Sequence, residues 1–292
     1  MSAQIAVFFD LDGTLMPLPS LERRFFRVLR HRREIALKSY FHWLREALKM
    51  LPLGISAIAH ANKMYLRGVE TFDENCMENR AGSLVHKGGR PSRIRADQAE
   101  GQASTPPRRN PRLPVPRFFE DGIERVVCHA MLGHDIVIVS GTLEPLARAA
   151  ARALEAELAA RGFATKIRVC ATKLEESQGR WTGRILGEAM FGKAKARAVR
   201  KVAEEMGLDL SQSWAYGDSA GDRWMLQAVG HPTAVNPTLR LARVARKRDW
   251  PVLLWREERN RTQGQDEGQK EETKHVEEPT HETVLQHGGR PA

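Results

Sequence analysis

The chain has 292 residues, 41% of them hydrophobic and 28% charged, and carries a formal net charge of +10 at pH 7. That length and apolar content support a real core, while the charged remainder points to tails and inserts that bury too little apolar surface to offset their ordering entropy. Three scattered cysteines, Cys76, Cys128 and Cys170, with no CxxC pair and no histidine cluster at zinc spacing, argue against a disulfide framework and a structural zinc site.

The N-terminus runs straight into an apolar strand pattern without a basic leader or cleavage site, and no apolar run reaches the ~20 residues of a bilayer span. A cytoplasmic location without a transmembrane segment is the expectation. Ile5 to Phe9 is wholly apolar and ends in Asp10 and Gly13, which predicts a buried strand of a parallel sheet with functional side chains at its carboxyl end. After Pro17 and Pro19, apolar residues at helical spacings, among them Phe25, Phe26, Leu29, Tyr40, Trp43 and Leu44, predict a small helical cap over residues 17–75. Tyr40, Trp43 and Leu44 either pack that cap or face an apolar substrate, and core packing is the preferred reading.

Between 76 and 117 glycines and prolines interrupt a run of arginines; from Arg80 to Arg117 nine Lys or Arg stand against Asp97 and Glu100. This predicts a basic, disordered insert, able to touch nucleic acid or an anionic membrane by counterion release. It lacks interleaved aromatics, so a solvated linker is the preferred reading.

Order returns at Phe118 with an amphipathic helix through Ala130, then a second buried strand from Ile136 to Val139. Ser140-Gly141 and an alanine-rich helix ending near Gly162 follow. Two segments, 169–174 and 180–186, flank a polar turn at Gly179 and predict a hairpin. A helix over 192–206 closes on Gly207, a third strand over 214–216 ends in Gly217-Asp218, and two more strands are expected at 234–235 and 252–254. The alternation implies an α/β fold: a three-layer, Rossmann-like parallel sheet formed by residues 1–16 and 118–256, with the cap inserted after the first strand. Residues 257–292, rich in Glu, Gln, Thr and Gly, are expected to be a disordered polar tail.

Four clusters fall where an open parallel sheet places its active site, beyond the carboxyl ends of its strands. Asp10-Leu11-Asp12-Gly13-Thr14 offers one carboxylate to attack and another to handle protons. Ser140-Gly141 offers a hydroxyl and N–H groups that suit phosphate oxygens at a helix N-terminus. A lysine near the start of the 192–206 helix, either Lys193 or Lys195, could neutralise charge on Asp10 and a phosphate together. Gly217-Asp218-Ser219-Ala220-Gly221-Asp222 supplies paired carboxylates suited to a hard cation. Gly187 to Lys193 nearly matches a nucleotide-binding P-loop, but Ala194 stands where Ser or Thr should bind magnesium. His60 and His134 have no partners in sequence and are read as solvated or structural.

These four clusters, in this order, resemble the motifs of the haloacid dehalogenase superfamily, in the branch that contains phosphoserine phosphatase. The resemblance implies a phosphatase with Asp10 as nucleophile and Asp12 as general acid and base. It assigns Thr14, Ser140, Gly141 and Lys195 to the substrate phosphate, with Lys195 preferred to Lys193 by its interval to Asp218. It also implies Mg²⁺ held by Asp10, the backbone carbonyl of Asp12 and Asp218, with Asp222 nearby. The expected function is magnesium-dependent hydrolysis of a small phosphomonoester metabolite through an aspartyl-phosphate. The alternative is a catalytically idle module that binds nucleic acid or anionic membrane through the basic insert. The chain departs from the branch at GDSAGD, at DGT and around Pro19. No carboxylate there matches the amine grip of those enzymes unless Glu22 serves from a shifted position, which argues against phosphoserine as substrate.

Overall fold

Ala6–Phe9 forms strand β1 because four consecutive apolar side chains, all fully buried, leave no polar face for solvent. A computed structural model of the chain describes residues 4–54, 58, 60–72 and 114–256. The expected basic insert, up to residue 113, and the expected polar tail lie outside the described residues.

Two helices follow β1. Helix α1 spans Leu21–His31; the Ser20 side chain caps it by accepting from Arg23 N, with Glu22 in the first turn and Arg30 and His31 in the last, a distribution that matches the helix dipole. Helix α2 spans Leu37–Met50. The chain resumes with helix α3 (Glu120–Met131), strand β2 (Asp135–Leu143), helix α4 (Glu144–Ala160) and strand β3 (Ile167–Thr172). A hairpin of β4 (Leu174–Ser177) and β5 (Arg180–Ile185) precedes helix α5 (Lys193–Met206). Strand β6 (Trp214–Gly217), the single turn α6 (Arg223–Leu226), β7 (His231–Val235), α7 (Leu239–Lys247) and β8 (Val252–Leu253) complete the fold.

Six strands form one parallel sheet in the order β3-β2-β1-β6-β7-β8. The order reverses between β1 and β6, which opens a crevice at their carboxyl ends. Alternation along β1 divides the core. Val7 and Phe9 pack with Ile136, Ile138, Leu146, Leu154 and Phe25 on one face of the sheet. Ala6 and Phe8 pack with Val137, Val139, Val199, Leu226 and Leu241 on the other. The sheet is therefore covered on both faces, as expected for an α/β sandwich.

Two local expectations are corrected. The arm expected over 169–174 divides: Ile167–Thr172 pairs parallel to β2 at the sheet edge, and the hairpin begins only at Leu174. The apolar side chains of Ile167–Thr172 find the sheet rather than the polar turn nearest in sequence. Ser140 and Gly141 do not open the first helical turn either. Strand pairing persists to Leu143, opposite Thr172, with a register shift between Ser140 and Leu143, and α4 starts only at Glu144. Bulges of this kind re-aim side chains at strand ends.

The hairpin reaches back to the segment after β1. Trp181 N donates to Val69 O and Gly68 N to Trp181 O, while the Trp181 ring packs edge-on against Phe25 and Phe72. Those contacts tie α1 to the rest of the molecule through apolar packing rather than through sequence proximity.

Candidate active site

Asp10 follows β1 directly, and its N–H donates to the carbonyl of Tyr216 at 2.9 Å, so the ends of β1 and β6 are held together. The loop after β6 carries Asp218 and Asp222. Gly13, at φ +93°, passes beneath Asp218 so closely that a Cβ there would collide with its carboxylate. Gly217 meets the same limit against the Asp222 side chain. The glycines of both motifs are therefore the reason their carboxylates can converge.

Lys195, in the first turn of α5 and 4% exposed, connects the two loops. Its Nζ lies 2.5 Å from Oδ1 of Asp10 and 2.5 Å from Oδ1 of Asp222. Lys193 is elsewhere, with its Nζ 5.2 Å from the centre of the Trp224 ring. The second oxygen of Asp222 accepts from the Ser219 N–H at 2.9 Å and from its hydroxyl at 2.6 Å. The Thr238 N–H donates to the Asp218 carbonyl at 2.8 Å and fixes the end of β6.

The other expected residues take distinct places. Asp12 lines the same cavity, and its Oδ1 accepts from the Leu21 N–H at 2.6 Å, at the entry to α1. Thr14 is fully buried behind Asp10, with its hydroxyl 3.3 Å from Oδ2. That hydroxyl serves the carboxylate and does not face the cavity. Ser140 and Gly141 line the cavity; the Ser140 hydroxyl accepts from the Thr142 N–H at 3.2 Å, and Thr172 Oγ1 donates to the Gly141 carbonyl. His134 pairs with buried His129 at 2.9 Å and stacks on Trp214, and it does not line the cavity. His60 lines the cavity and stacks on Phe191 at 3.8 Å between ring centres.

Electrostatics separates the aspartates. Burial raises the carboxyl of Asp10 to about 7 against the pull of Lys195. Burial, followed by repulsion from Asp10 and Asp222, raises Asp218 to about 9. Burial also opposes the charge on Asp222, but Lys195 and the Ser219 hydrogen bonds outweigh it and hold that carboxyl below its ordinary range. Burial raises Asp12 to about 6 despite the Leu21 N–H bond, a value suited to exchanging a proton near neutrality.

Asp10, Asp218 and Asp222 present carboxylate oxygens within 4.8 Å of one another, all three buried. Among the described residues one lysine stands against three carboxylates, and it pairs with Asp10 and Asp222 rather than with Asp218. A cluster of hard oxygen donors short of positive charge fits Mg²⁺ and is unsuited to soft, thiolate-seeking metals.

Three features of the cavity had no signal in the sequence. Lys63 Nζ and the Tyr65 hydroxyl both reach Glu22 Oε1 at 2.6 Å, across 41 and 43 positions of chain. Phe191 joins the lining beside Gly221. Ser219 belonged to a quoted motif, and only its geometry gives it the task of holding Asp222.

Comparison with known proteins places the chain in a family. The chain matches the family described as haloacid dehalogenase-like hydrolase over residues 7–227. A Mycobacterium tuberculosis protein named as a probable phosphatase is 36% identical over 139 residues, covering 48% of this chain and 45% of its own. A phosphoserine phosphatase of the same organism is 44% identical over 85 residues, 29% of this chain and 28% of that one. The chain thus spans less than half the length of these relatives. A solved structure of a Bordetella pertussis protein of unknown function superimposes with a TM-score of 0.54 at 23% identity, covering 86% of this chain and 99% of that chain, a likeness of fold. From its four converging motifs and this match, the chain belongs to the haloacid dehalogenase-like hydrolase family.

Proposed function

We propose that the chain is a magnesium-dependent phosphomonoester hydrolase working through an aspartyl-phosphate on Asp10. The observation that carries this reading is the buried bridge of Lys195 between Asp10 and Asp222, beside Asp218 and at one wall of a cavity. The phosphatase names of two relatives support it.

In the first step an oxygen of the Asp10 carboxylate attacks phosphorus and the bond from phosphorus to the alcohol oxygen breaks. Asp12, protonated, gives its proton to that leaving oxygen. Asp12, now a carboxylate, takes a proton from water as the water oxygen attacks phosphorus. The bond between phosphorus and Asp10 breaks, inorganic phosphate departs, and both aspartates regain their starting states. Lys195 stays charged throughout and faces the oxygens on which negative charge grows. Asp10, Asp218 and Asp222, with the Asp12 carbonyl by family resemblance, would hold Mg²⁺. Bound there, the ion supplies Lewis-acid stabilisation of the phosphoryl oxygens. Ser140 and Gly141, on the bulged end of β2, are suited to position the remaining phosphate oxygens.

The test is hydrolysis of p-nitrophenyl phosphate with and without Mg²⁺ by the protein and by Asp10→Asn. Turnover that needs Mg²⁺ and falls by at least about 10³-fold in the variant, with an unchanged circular dichroism spectrum, supports the reading. Retained activity in Asp10→Asn refutes it.

A further inference from the structure

Among the described residues, Glu22 is the acidic side chain lining the cavity apart from the aspartates of the two motifs. It is already engaged. Lys63, 3% exposed, and the Tyr65 hydroxyl both contact the same carboxylate oxygen at 2.6 Å. A substrate ammonium reaching Glu22 would share its carboxylate with Lys63 and Tyr65, whose two contacts both fall on Oε1. The acidic group outside the two motifs thus already serves a cation of the protein itself.

What the cavity offers instead is apolar. Leu18, Phe26, Tyr40, Trp43, Tyr65 and Phe191 line a space of about 1210 Å³ that Asp10 also lines. Ligand pockets for drug-sized molecules run to about 300–1,000 Å³, so a phosphate with a short polar alcohol would leave most of this space unfilled. Aromatic walls of this extent gain most from a long hydrocarbon.

Helix α2 carries a second, independent observation. Tyr40 and Trp43 reach the cavity from it, while Leu37, Phe41, Leu44 and Leu48 repeat at helical spacing and are 79%, 73%, 51% and 59% exposed. Lys38, Arg45 and Lys49, all exposed, border that stripe along one side. An apolar stripe edged by cations is the pattern of a helix lying in the plane of an anionic bilayer.

We infer that the substrate is an amphiphile, a phosphomonoester whose alcohol carries a long apolar chain, drawn from an anionic bilayer on which α2 rests. The inference relies on the phosphatase reading for the phosphate end and on the aromatic wall for the chain.

The test compares monomeric decyl phosphate, ethyl phosphate and phosphoserine, both as substrates with Mg²⁺ and as ligands followed by titration calorimetry. Decyl phosphate is expected to exceed ethyl phosphate by at least about a hundredfold in kcat/KM and in affinity, since each buried methylene contributes severalfold. Trp43→Ala should shrink that ratio by about tenfold. Equal treatment of decyl and ethyl phosphate, or preference for phosphoserine, overturns the inference. If nothing is hydrolysed yet decyl phosphate still binds preferentially, the hydrolytic reading fails and the chain site stands. For the bilayer, the protein should sediment with phosphatidylglycerol vesicles and not with phosphatidylcholine vesicles, and the surface variant Phe41→Asp/Leu44→Asp should stay in solution. Wild-type protein left in the supernatant of both vesicle types contradicts the bilayer as source.

Discussion

The ammonium of Lys195 and the carboxylate of Asp222 stand 2.5 Å apart, the former 4% and the latter 1% exposed. With Asp10 on the other side of the lysine, the pair couples β1, α5 and the loop after β6 in one buried charge network. Removing the lysine leaves two buried carboxylates without a cation. Lys195→Met is expected to lose about 3–5 kcal/mol of stability and about 10²–10³-fold in kcat. Lys193→Ala, which removes the contact of an exposed lysine with the Trp224 ring, should cost under about 1 kcal/mol. Urea unfolding and steady-state kinetics on both variants check this contrast.

Asp218 titrates in a way that stability can report. Burial and its two aspartate neighbours raise its folded value from 3.8 to about 9, so the folded state holds a proton that the unfolded chain has released. Stability from this group is complete below pH 4 and is lost as pH rises toward 9. The metal-free protein should therefore show a Tm that falls across this window, with a shallower fall in Asp218→Asn. Mg²⁺ should raise Tm most at the alkaline end, where the site is fully ionised. A metal-free Tm with the same pH slope in both proteins contradicts this account of Asp218.

His129 has the opposite sign. Burial, reinforced by His134 and Arg125, lowers its folded value from 6.5 to about 4, so the neutral ring is favoured in the folded state. Its contribution is present above pH 6.5 and is lost as pH falls toward 4, at up to roughly 1.4 kcal/mol per pH unit. His129→Gln keeps a polar group opposite the Tyr216 hydroxyl, which lies 3.0 Å from the ring nitrogen, and should flatten this acid limb in chemical denaturation.

Gly13 combines a positive φ with contact against Asp218. Gly13→Ala is expected to cost about 1–3 kcal/mol through backbone strain and to weaken Mg²⁺ binding by pushing Asp218 aside. Calorimetric titration of Mg²⁺ measures the second effect separately from the first.

Much of this site was legible because its chemistry is local in sequence. An apolar run followed by Asp10 and Asp12, and a second short strand followed by Asp218 and Asp222, are readable where periodicity stops and carboxylates begin. The interval to Asp218 favoured Lys195 over Lys193, and the ion pairs fall on Lys195. The misread parts are those decided by distant partners. The expected hairpin arm over 169–174 falls mostly in a sheet strand, Ile167–Thr172, because β2 offers a free edge. The start of α4 is set by the Leu143–Thr172 pairing, which no local signal announces. The Lys63–Glu22 pair joins α1 to a residue 41 positions later, and no local signal announces that partner. Tyr40 and Trp43 show the same ambiguity: their spacing matches core packing, yet both line the cavity, while Leu44 of the same helix faces outward.

The covalent step gives the most direct test. Protein mixed with Mg²⁺ and p-nitrophenyl phosphate, quenched in acid within the first turnover and mapped by peptide mass spectrometry, should carry phosphate on the peptide containing Asp10. The label should be alkali-labile and absent from Asp10→Asn. Turnover without any such label, or a label on another residue, would contradict the mechanism.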